Sequence, residues 1–202
     1  LNGIIGALRE EMVDTTYESD EDISGLCHTP GGAFGSCRYK LKRFQDDTTE
    51  YCRLIEVFKA HNIGYFFYNG GGDSADTCLK VSKISKKLGY PIQAIHIPKT
   101  IDNDVYPIKQ SLGAWTAAEE GANYFHNVVP EHNANPRMLI VHEVMGRNCG
   151  WLTAYTAKIY REKLAQMSFL PDLGLSKKRK DVHGIFIPEI FIVLFFKFSI
   201  MP

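Results

Sequence analysis

The sequence lacks an excess of charge of either sign. Its 202 residues contain 23 lysines and arginines and 23 aspartates and glutamates, so the formal net charge is zero when histidine is neutral. A protein that recruits nucleic acid or an anionic membrane surface through its overall field needs a net positive charge. We therefore predict no nucleic-acid partner, and any site for a polyanionic ligand must be local.

Long uninterrupted apolar runs are also missing. The most apolar segment, residues 185–201, is interrupted by Pro188, Glu189 and Lys197, whereas a transmembrane helix needs about 20 consecutive apolar residues. We predict no membrane association. From about residue 190 onward we interpret the segment as an aberrant apolar tail, and our hypothesis is a read-through or frameshifted end.

Two further motifs are absent. The five cysteines are widely spaced and form no C-x-x-C pair, which argues against a disulfide framework or a zinc site and favours a reduced, cytoplasmic protein. No G-x-G-x-x-G turn follows a predicted strand, which argues against a nicotinamide-dependent oxidoreductase.

Strand and helix patterns alternate along the chain. Short apolar runs predict strands at residues 63–68, 92–97, 138–144 and 184–187. Helical spacing of apolar residues predicts helices at residues 3–12, 50–61, 77–88, 113–127 and 149–164. Polar composition predicts surface loops at residues 14–22 and 177–180. This alternation predicts a doubly wound, Rossmann-like α/β fold with a parallel sheet.

A glycine-rich loop lies between the predicted strand at residues 63–68 and the helix that follows. Gly71, Gly72, Asp73 and Ser74 form its second half. Backbone N–H groups of such a turn, together with the helix N-terminus, can converge on phosphate oxygens. In parallel sheets ligands bind at the carboxyl ends of strands, so we expect this loop to belong to a ligand site.

A second polar loop follows the predicted strand at residues 92–97. It contains Lys99, Thr100, Asp102 and Asp104. Phosphoryl transfer to an alcohol needs a carboxylate to accept the hydroxyl proton and cationic groups around the phosphate, usually with Mg²⁺. An Asx-turn, in which the aspartates cap local backbone, is the alternative interpretation.

Five segments resemble the phosphofructokinase family in the order in which that family carries them. Residues 98–104, PKTIDND, resemble its active-site signature, and residues 31–38, GGAFGSCR, resemble its donor-site loop. Residues 70–77 resemble its glycine loop, residues 144–150 its sugar-phosphate strap, and residues 187–189 a fifth element.

This resemblance implies a phosphofructokinase fold of two similar α/β domains with the site between them. We expect a first domain over residues 1–110 and a partial second domain over residues 111–202, with a boundary near residues 108–112. The fold is expected to be incomplete at both ends, so that activity of this polypeptide is in question. The complete protein is expected to be a homo-oligomer; effectors and the exact assembly are not indicated.

The resemblance also implies residue roles. Asp102 matches the general base for the sugar 1-hydroxyl, and Lys99 and Thr100 match residues that stabilise and position the transferring phosphoryl group. Met145, Gly146, Arg147 and Glu189 match residues that, with Thr100, bind fructose 6-phosphate. A guanidinium such as that of Arg147 suits a phosphate because it offers a fork of donors.

The resemblance also implies which residues bind the phosphoryl donor. Arg38, Gly71, Gly72, Asp73 and Ser74 match donor-binding positions, and an aspartate at position 73 resembles the pyrophosphate users of the family. A carboxylate there would repel the α-phosphate of ATP. Lys99 matches a lysine of the pyrophosphate users and so indicates the same donor. We therefore expect pyrophosphate as the donor and Mg²⁺ as the cofactor.

Metal binding and function each leave alternatives open. Gly72 replaces an aspartate that the family usually has, so the metal is expected to rely on Asp104, on Asp73 or on water that bridges phosphate oxygens. The predicted function is a reversible, glycolytic transfer of phosphate from pyrophosphate to fructose 6-phosphate. An ATP-dependent 6-phosphofructokinase and a non-catalytic sugar-phosphate-binding paralogue are the alternatives.

Overall fold

The computed structural model describes residues 1–135 and 137–190. The chain divides into two compact units, Leu1–Ile97 and Pro98–Pro202. The sequence predicts a boundary near residues 108–112, which would place the loop at residues 99–104 at the end of the first domain. In the structure this loop lies in the second unit. Compact units need not be independently folding domains, and the predicted domain division stays a prediction.

The first unit is built from four α-helices and two strands. The helices are α1 (Gly3–Arg9), α2 (Asp20–Gly25), α3 (Thr49–Ala60) and α4 (Gly72–Lys87), with a 3-10 turn at Leu26–His28. The strands are β1 (Tyr65–Gly70) and β2 (Gln93–Pro98), which are hydrogen-bonded neighbours in a parallel sheet. This strand-helix-strand unit confirms the predicted α/β class.

The core of the first unit forms between α3, α4 and the sheet. Apolar residues at helical spacing place Leu54, Phe58 and Val81 on the inner faces, each no more than 3% exposed. Phe66 of β1 packs against this cluster from the sheet, and its ring lies 5.4 Å from that of Phe58. The sheet and α4 therefore hold the turn that joins them, residues 70–72, in a fixed position.

The second unit contains α5 (Ala114–Val128), α6 (Glu131–Ala134), α7 (Trp151–Ala165) and α8 (Lys177–Lys180). Helices α5 and α7 pack against each other, with Ala122, Tyr160 and Leu164 no more than 1% exposed. Gly121 allows the close approach, because a Cβ atom there would lie only 3.2 Å from the Thr156 side chain. This helix pair supports the loops at residues 98–113 and 144–150, which precede its two members.

Four predicted elements are wrong. In the described part of the chain, residues 138–144 and 184–187 form no strand. Burial alternates along residues 139–144 as in a strand, and Leu139 and Val141 are each 79% exposed. An apolar extended segment becomes a strand only when a neighbour completes its hydrogen bonds.

The other two errors are helices where loops were predicted: α2 takes up residues 20–22 of the predicted loop at residues 14–22, and α8 takes up residues 177–180. Ser19 caps α2 by accepting a hydrogen bond from the Asp22 N–H, and three acidic residues in the first turn favour the helix N-terminus. Helix α8 is a single exposed turn of basic residues. The apolar tail from about residue 190 lies, from residue 191 on, outside the described residues. Among the helices that the structure describes, none has the length and apolar character to cross a membrane.

Candidate functional site

Glycines in the turn between β1 and α4 let its backbone pass close to neighbouring atoms. Strand β1 ends at Gly70, Gly71 precedes the first helical residue, and Gly72, Asp73 and Ser74 form the first turn of α4. A Cβ atom on Gly70 would lie 2.1 Å from Ser74 Oγ, so a side chain cannot be accommodated there. The first turn of a helix offers N–H groups without intrahelical partners and a partial positive charge, which suits an anion.

Beside this turn lies an open pocket of about 260 Å³. Its lining includes Arg38, Asp73 and Ser74, so the structure brings together three of the residues that the sequence assigned to the donor. Gly71 and Gly72 adjoin the pocket in the chain as the start of α4. Tyr68 and Thr77 also line the pocket.

Lys40 also lines this pocket, and sequence reasoning missed it. Its Nζ atom lies 2.9 Å from Asp73 Oδ1, and the two side chains are 66% and 78% exposed. The hydrogen bond to Asp73 is the main reason why the pKa of Lys40 is raised. A signal was available in the two-residue spacing from Arg38, but Lys40 lies in a basic run that resembles an ordinary solvated segment.

The loop at residues 99–104 is anchored by backbone contacts to the residues before α5. Lys99 forms a parallel bridge with Leu112, and the Leu112 N–H donates to the Pro98 carbonyl at 3.0 Å. Thr100 Oγ1 accepts a hydrogen bond from the Asp102 N–H at 3.2 Å. Lys99, Thr100 and Asp102, the three predicted catalytic residues, therefore share one short, fixed turn.

Asp102 is the most buried of the predicted site residues that carry a charge. The residue is 7% exposed, and its Oδ1 atom is buried without a hydrogen-bond partner. A buried carboxylate oxygen without a partner costs free energy. This placement disfavours the Asx-turn interpretation for Asp102, because a capping oxygen would accept a local N–H.

Asn103 provides the local capping instead. It adopts a left-handed φ of 54°. Its Nδ2 donates to the Lys109 carbonyl at 3.1 Å, and its Oδ1 accepts from the Ser111 N–H at 2.7 Å. Asparagine tolerates this backbone conformation and offers both a donor and an acceptor. The sequence pattern points to the aspartates on either side, and the role of the asparagine between them follows only from these two contacts.

The strap at residues 144–150 forms a tight turn before α7. The Cys149 N–H donates to the Gly146 carbonyl at 2.9 Å, and a Cβ on Gly146 would lie 2.3 Å from the Cys149 carbonyl oxygen. Met145 is 66% exposed, and Arg147 is exposed with a left-handed φ of 50°. Met145 and Arg147 therefore face solvent, whereas Gly146 between them is buried in the turn.

Glu189 lies against the same strap. Its Oε1 accepts a hydrogen bond from the Gly150 N–H at 2.7 Å, at the position that caps the N-terminus of α7. A carboxylate is favoured at a helix N-terminus by the helix dipole. The structure thus brings Glu189 to the strap through a backbone contact that the sequence did not indicate.

A metal site made of protein ligands alone is not formed by residues 1–135 and 137–190, which contain no group of three or more His, Cys, Asp or Glu side chains suited to an ion. Mg²⁺ is commonly bound by one or two carboxylates together with substrate phosphates and water. Asp104 is exposed, and Asp102 has an unbonded oxygen. This donor set fits Mg²⁺ that arrives with a phosphate ligand.

Comparison with known proteins gives consistent matches. A family model described as Phosphofructokinase matches residues 1–182. A pyrophosphate–fructose 6-phosphate 1-phosphotransferase of Methylomonas methanica is 58% identical over 202 aligned positions, which cover 95% of this chain and 49% of that protein. A protein of the same name from Methylococcus capsulatus is 52% identical over 187 positions, which cover 88% of this chain and 44% of that protein.

A solved structure is similar as well. The crystal structure of a pyrophosphate-dependent phosphofructokinase from Nitrosospira multiformis matches with a TM-score of 0.68 and 54% identity, over 78% of this chain and 39% of that one. The chain thus spans less than half the length of each of these proteins.

Proposed function

Because the chain belongs to the phosphofructokinase family, we propose that it carries the catalytic loop of an enzyme that transfers a phosphoryl group from pyrophosphate to fructose 6-phosphate. The relatives named above are pyrophosphate-dependent enzymes of this type. The proposed reaction joins the sugar 1-hydroxyl oxygen to the terminal phosphorus, breaks the bridging P–O bond of pyrophosphate and releases orthophosphate.

The observation that carries the proposal is the environment of Asp102. Its buried, unbonded Oδ1 is held in the turn that Asn103 braces. A carboxylate kept in this state can accept a proton from a substrate hydroxyl without first giving up another partner. Asp102 is therefore the proposed general base, and it takes up the proton of the 1-hydroxyl.

The neighbouring residues supply charge and position. Lys99 is the proposed cation for the transferring or leaving phosphate, and Thr100 orients the phosphoryl group or the sugar. Arg147, with Met145 and Gly146, is proposed to hold the sugar phosphate. Glu189 accepts the Gly150 N–H through one oxygen, and a carboxylate has further lone pairs for sugar hydroxyls.

Pyrophosphate as the donor is supported by the pocket in the first unit. Arg38 provides a cation, and Gly71, Gly72 and Ser74 provide helix-terminal N–H groups and a hydroxyl. A volume of about 260 Å³ is below the about 300–1,000 Å³ of pockets for larger organic ligands. Asp73 adds a carboxylate that opposes the α-phosphate of a nucleotide.

The proposal includes Mg²⁺ as the cofactor. Asp104 is the proposed protein ligand, and phosphate oxygens and water supply the remaining ligands. When bound, the ion would neutralise charge on the phosphate oxygens. A cytoplasmic location is also proposed, since all five cysteines are free thiols. Assembly of the complete protein into a homo-oligomer stays a prediction.

The test of the proposed base is Asp102→Asn. We expect fructose 1,6-bisphosphate formation from pyrophosphate and fructose 6-phosphate to fall by about 10²–10⁴-fold, because positioned bases contribute about that much. Asp172→Asn, at an exposed position outside the site, is the matched control and should keep the parent rate. Equal rates for Asp102→Asn and the parent would overturn the assignment.

A further inference from the structure

We infer that Lys40 is a donor-specificity residue whose ammonium group offsets the Asp73 carboxylate, so that the pocket accepts pyrophosphate although it contains an acidic side chain. The inference rests on the proposed function and deepens it. Asp73 excludes a nucleotide by repulsion, but an uncompensated carboxylate would repel pyrophosphate as well. A pocket that discriminates between the two donors needs a local cation to restore affinity for the smaller one.

The geometry places Lys40 where such compensation is possible. Its Nζ lies 2.9 Å from Asp73 Oδ1, and both residues line the 260 Å³ pocket together with Arg38. The two side chains are 66% and 78% exposed. Exposed ion pairs contribute little to stability, because solvent and salt screen them. The pair is therefore better explained by what it does in the pocket than by what it adds to the fold.

The charge of the pocket depends on this residue. Arg38 and Lys40 are cations and Asp73 is an anion, so the lining carries one positive charge in excess. Without Lys40, the charges of Arg38 and Asp73 would cancel, and the side chains of the lining would carry no net positive charge to attract a polyanion. The nearby Asp76 lies 2.5 Å from Lys80 and is thus paired within α4.

Lys40 also has the chemistry to contact both anions at once. An ammonium group has three donors, so it can hold Asp73 with one and a phosphate oxygen with another. The hydrogen bond to Asp73 raises the pKa of Lys40 further above its ordinary value of 10.5, so the ammonium form is favoured. The flexible side chain of lysine allows this shift of contacts as the ligand enters.

The experiment is a calorimetric titration of the 202-residue chain with inorganic pyrophosphate. Lys40→Met should raise the Kd by about tenfold or more, because a hydrogen bond to a charged group is lost. Lys42→Met is the matched control. Lys42 is 63% exposed and pairs with Asp47 at 2.9 Å, but it does not line the pocket, so its loss should leave the Kd within about twofold of the parent.

A double-mutant cycle separates charge compensation from a simple phosphate contact. In an Asp73→Asn background there is less negative charge to offset, so Lys40→Met should raise the Kd less than in the parent background. An equal increase in both backgrounds would overturn the inference. Thermal midpoints of all variants should stay close to that of the parent, since both side chains are exposed.

Failure of the inference and failure of the proposed function give different results. If the parent binds pyrophosphate and Lys40→Met binds it equally well, Lys40 has no role in donor binding, while the proposed donor stands. If the parent binds no pyrophosphate, the donor assignment is overturned and the inference with it.

Discussion

Two carboxylates of the candidate site lie in opposite surroundings, and the difference separates their roles. Asp102 is 7% exposed with an unbonded Oδ1, whereas the Asp73 side chain is 78% exposed and pairs with Lys40. A buried oxygen without a partner is suited to take a proton from a substrate. An exposed carboxylate at the edge of the donor pocket suits a residue that acts on a ligand by repulsion.

His142 gives a test of stability at the residue scale. Its Nε2 is buried without a hydrogen-bond partner, and the rings of Tyr124 and Phe125 lie 5.8 and 5.3 Å away. Burial lowers the pKa of His142 from its ordinary value of 6.5. Between pH 6.5 and this lowered pKa, His142 is protonated in the unfolded chain and neutral in the folded chain. Unfolding therefore takes up a proton in this range, and acidification favours the unfolded chain.

We expect the free energy of unfolding to fall as the pH drops below 6.5, and urea titrations on either side of that value would measure it. In His142→Gln the side chain no longer titrates, so this pH dependence should become weaker. An unchanged slope in the variant would assign the pH dependence to other groups.

Some residues of the candidate site could be predicted from the sequence and others could not. The glycine turn, Asp73 and the PKTIDND segment are local patterns that can be found by inspection. Lys40 and Glu189 act through contacts to residues far along the chain, Asp73 and Gly150. The role of Lys40 and the contact of Glu189 cannot be predicted from the sequence, because a linear pattern does not encode contacts between distant residues.

At the scale of elements, the loop at residues 99–112 is more constrained than its lack of regular structure suggests. The Lys99–Leu112 bridge closes it, and Asn103 braces its interior through hydrogen bonds to Lys109 and Ser111. The position of Asp102 should therefore depend on the side chain of Asn103 as well as on its own backbone.

Asn103→Ala tests this dependence. Both hydrogen bonds are lost, so we expect kcat to fall by about tenfold or more, because small displacements of a catalytic group are costly. Asn62→Ala is the matched control. Asn62 also has a left-handed φ, of 52°, so both variants carry the same backbone cost of about 1–2 kcal/mol, but only Asn103→Ala should lower kcat. Equal kcat values in the two variants would contradict a positioning role.

Helices were easier to predict than strands, for a physical reason. A helix satisfies its backbone hydrogen bonds locally. The amphipathic pattern therefore locates the ends of α3, α5 and α7 to within two residues. A strand depends on a neighbour that the pattern cannot identify. Residues 65–70 and 93–98 pair with each other, whereas residues 138–144 have strand-like composition but form no strand.

At the scale of the whole molecule, the predicted site residues belong to two different units. The donor pocket lies in Leu1–Ile97, and the loop with Asp102 and the strap with Arg147 lie in the unit that begins at Pro98. The proposed reaction needs a donor, a base and a sugar phosphate together. A non-catalytic sugar-phosphate-binding protein, the alternative, needs only the strap. A measurement of phosphoryl transfer therefore distinguishes the proposed enzyme from this alternative.

The most direct test of the account is fructose 1,6-bisphosphate formation by the chain, with fructose 6-phosphate, Mg²⁺ and either pyrophosphate or ATP. We predict turnover with pyrophosphate and none with ATP, because a carboxylate at position 73 would repel the α-phosphate. Turnover with ATP alone would contradict it. Binding of fructose 6-phosphate without turnover from either donor would also contradict it and would favour the non-catalytic alternative.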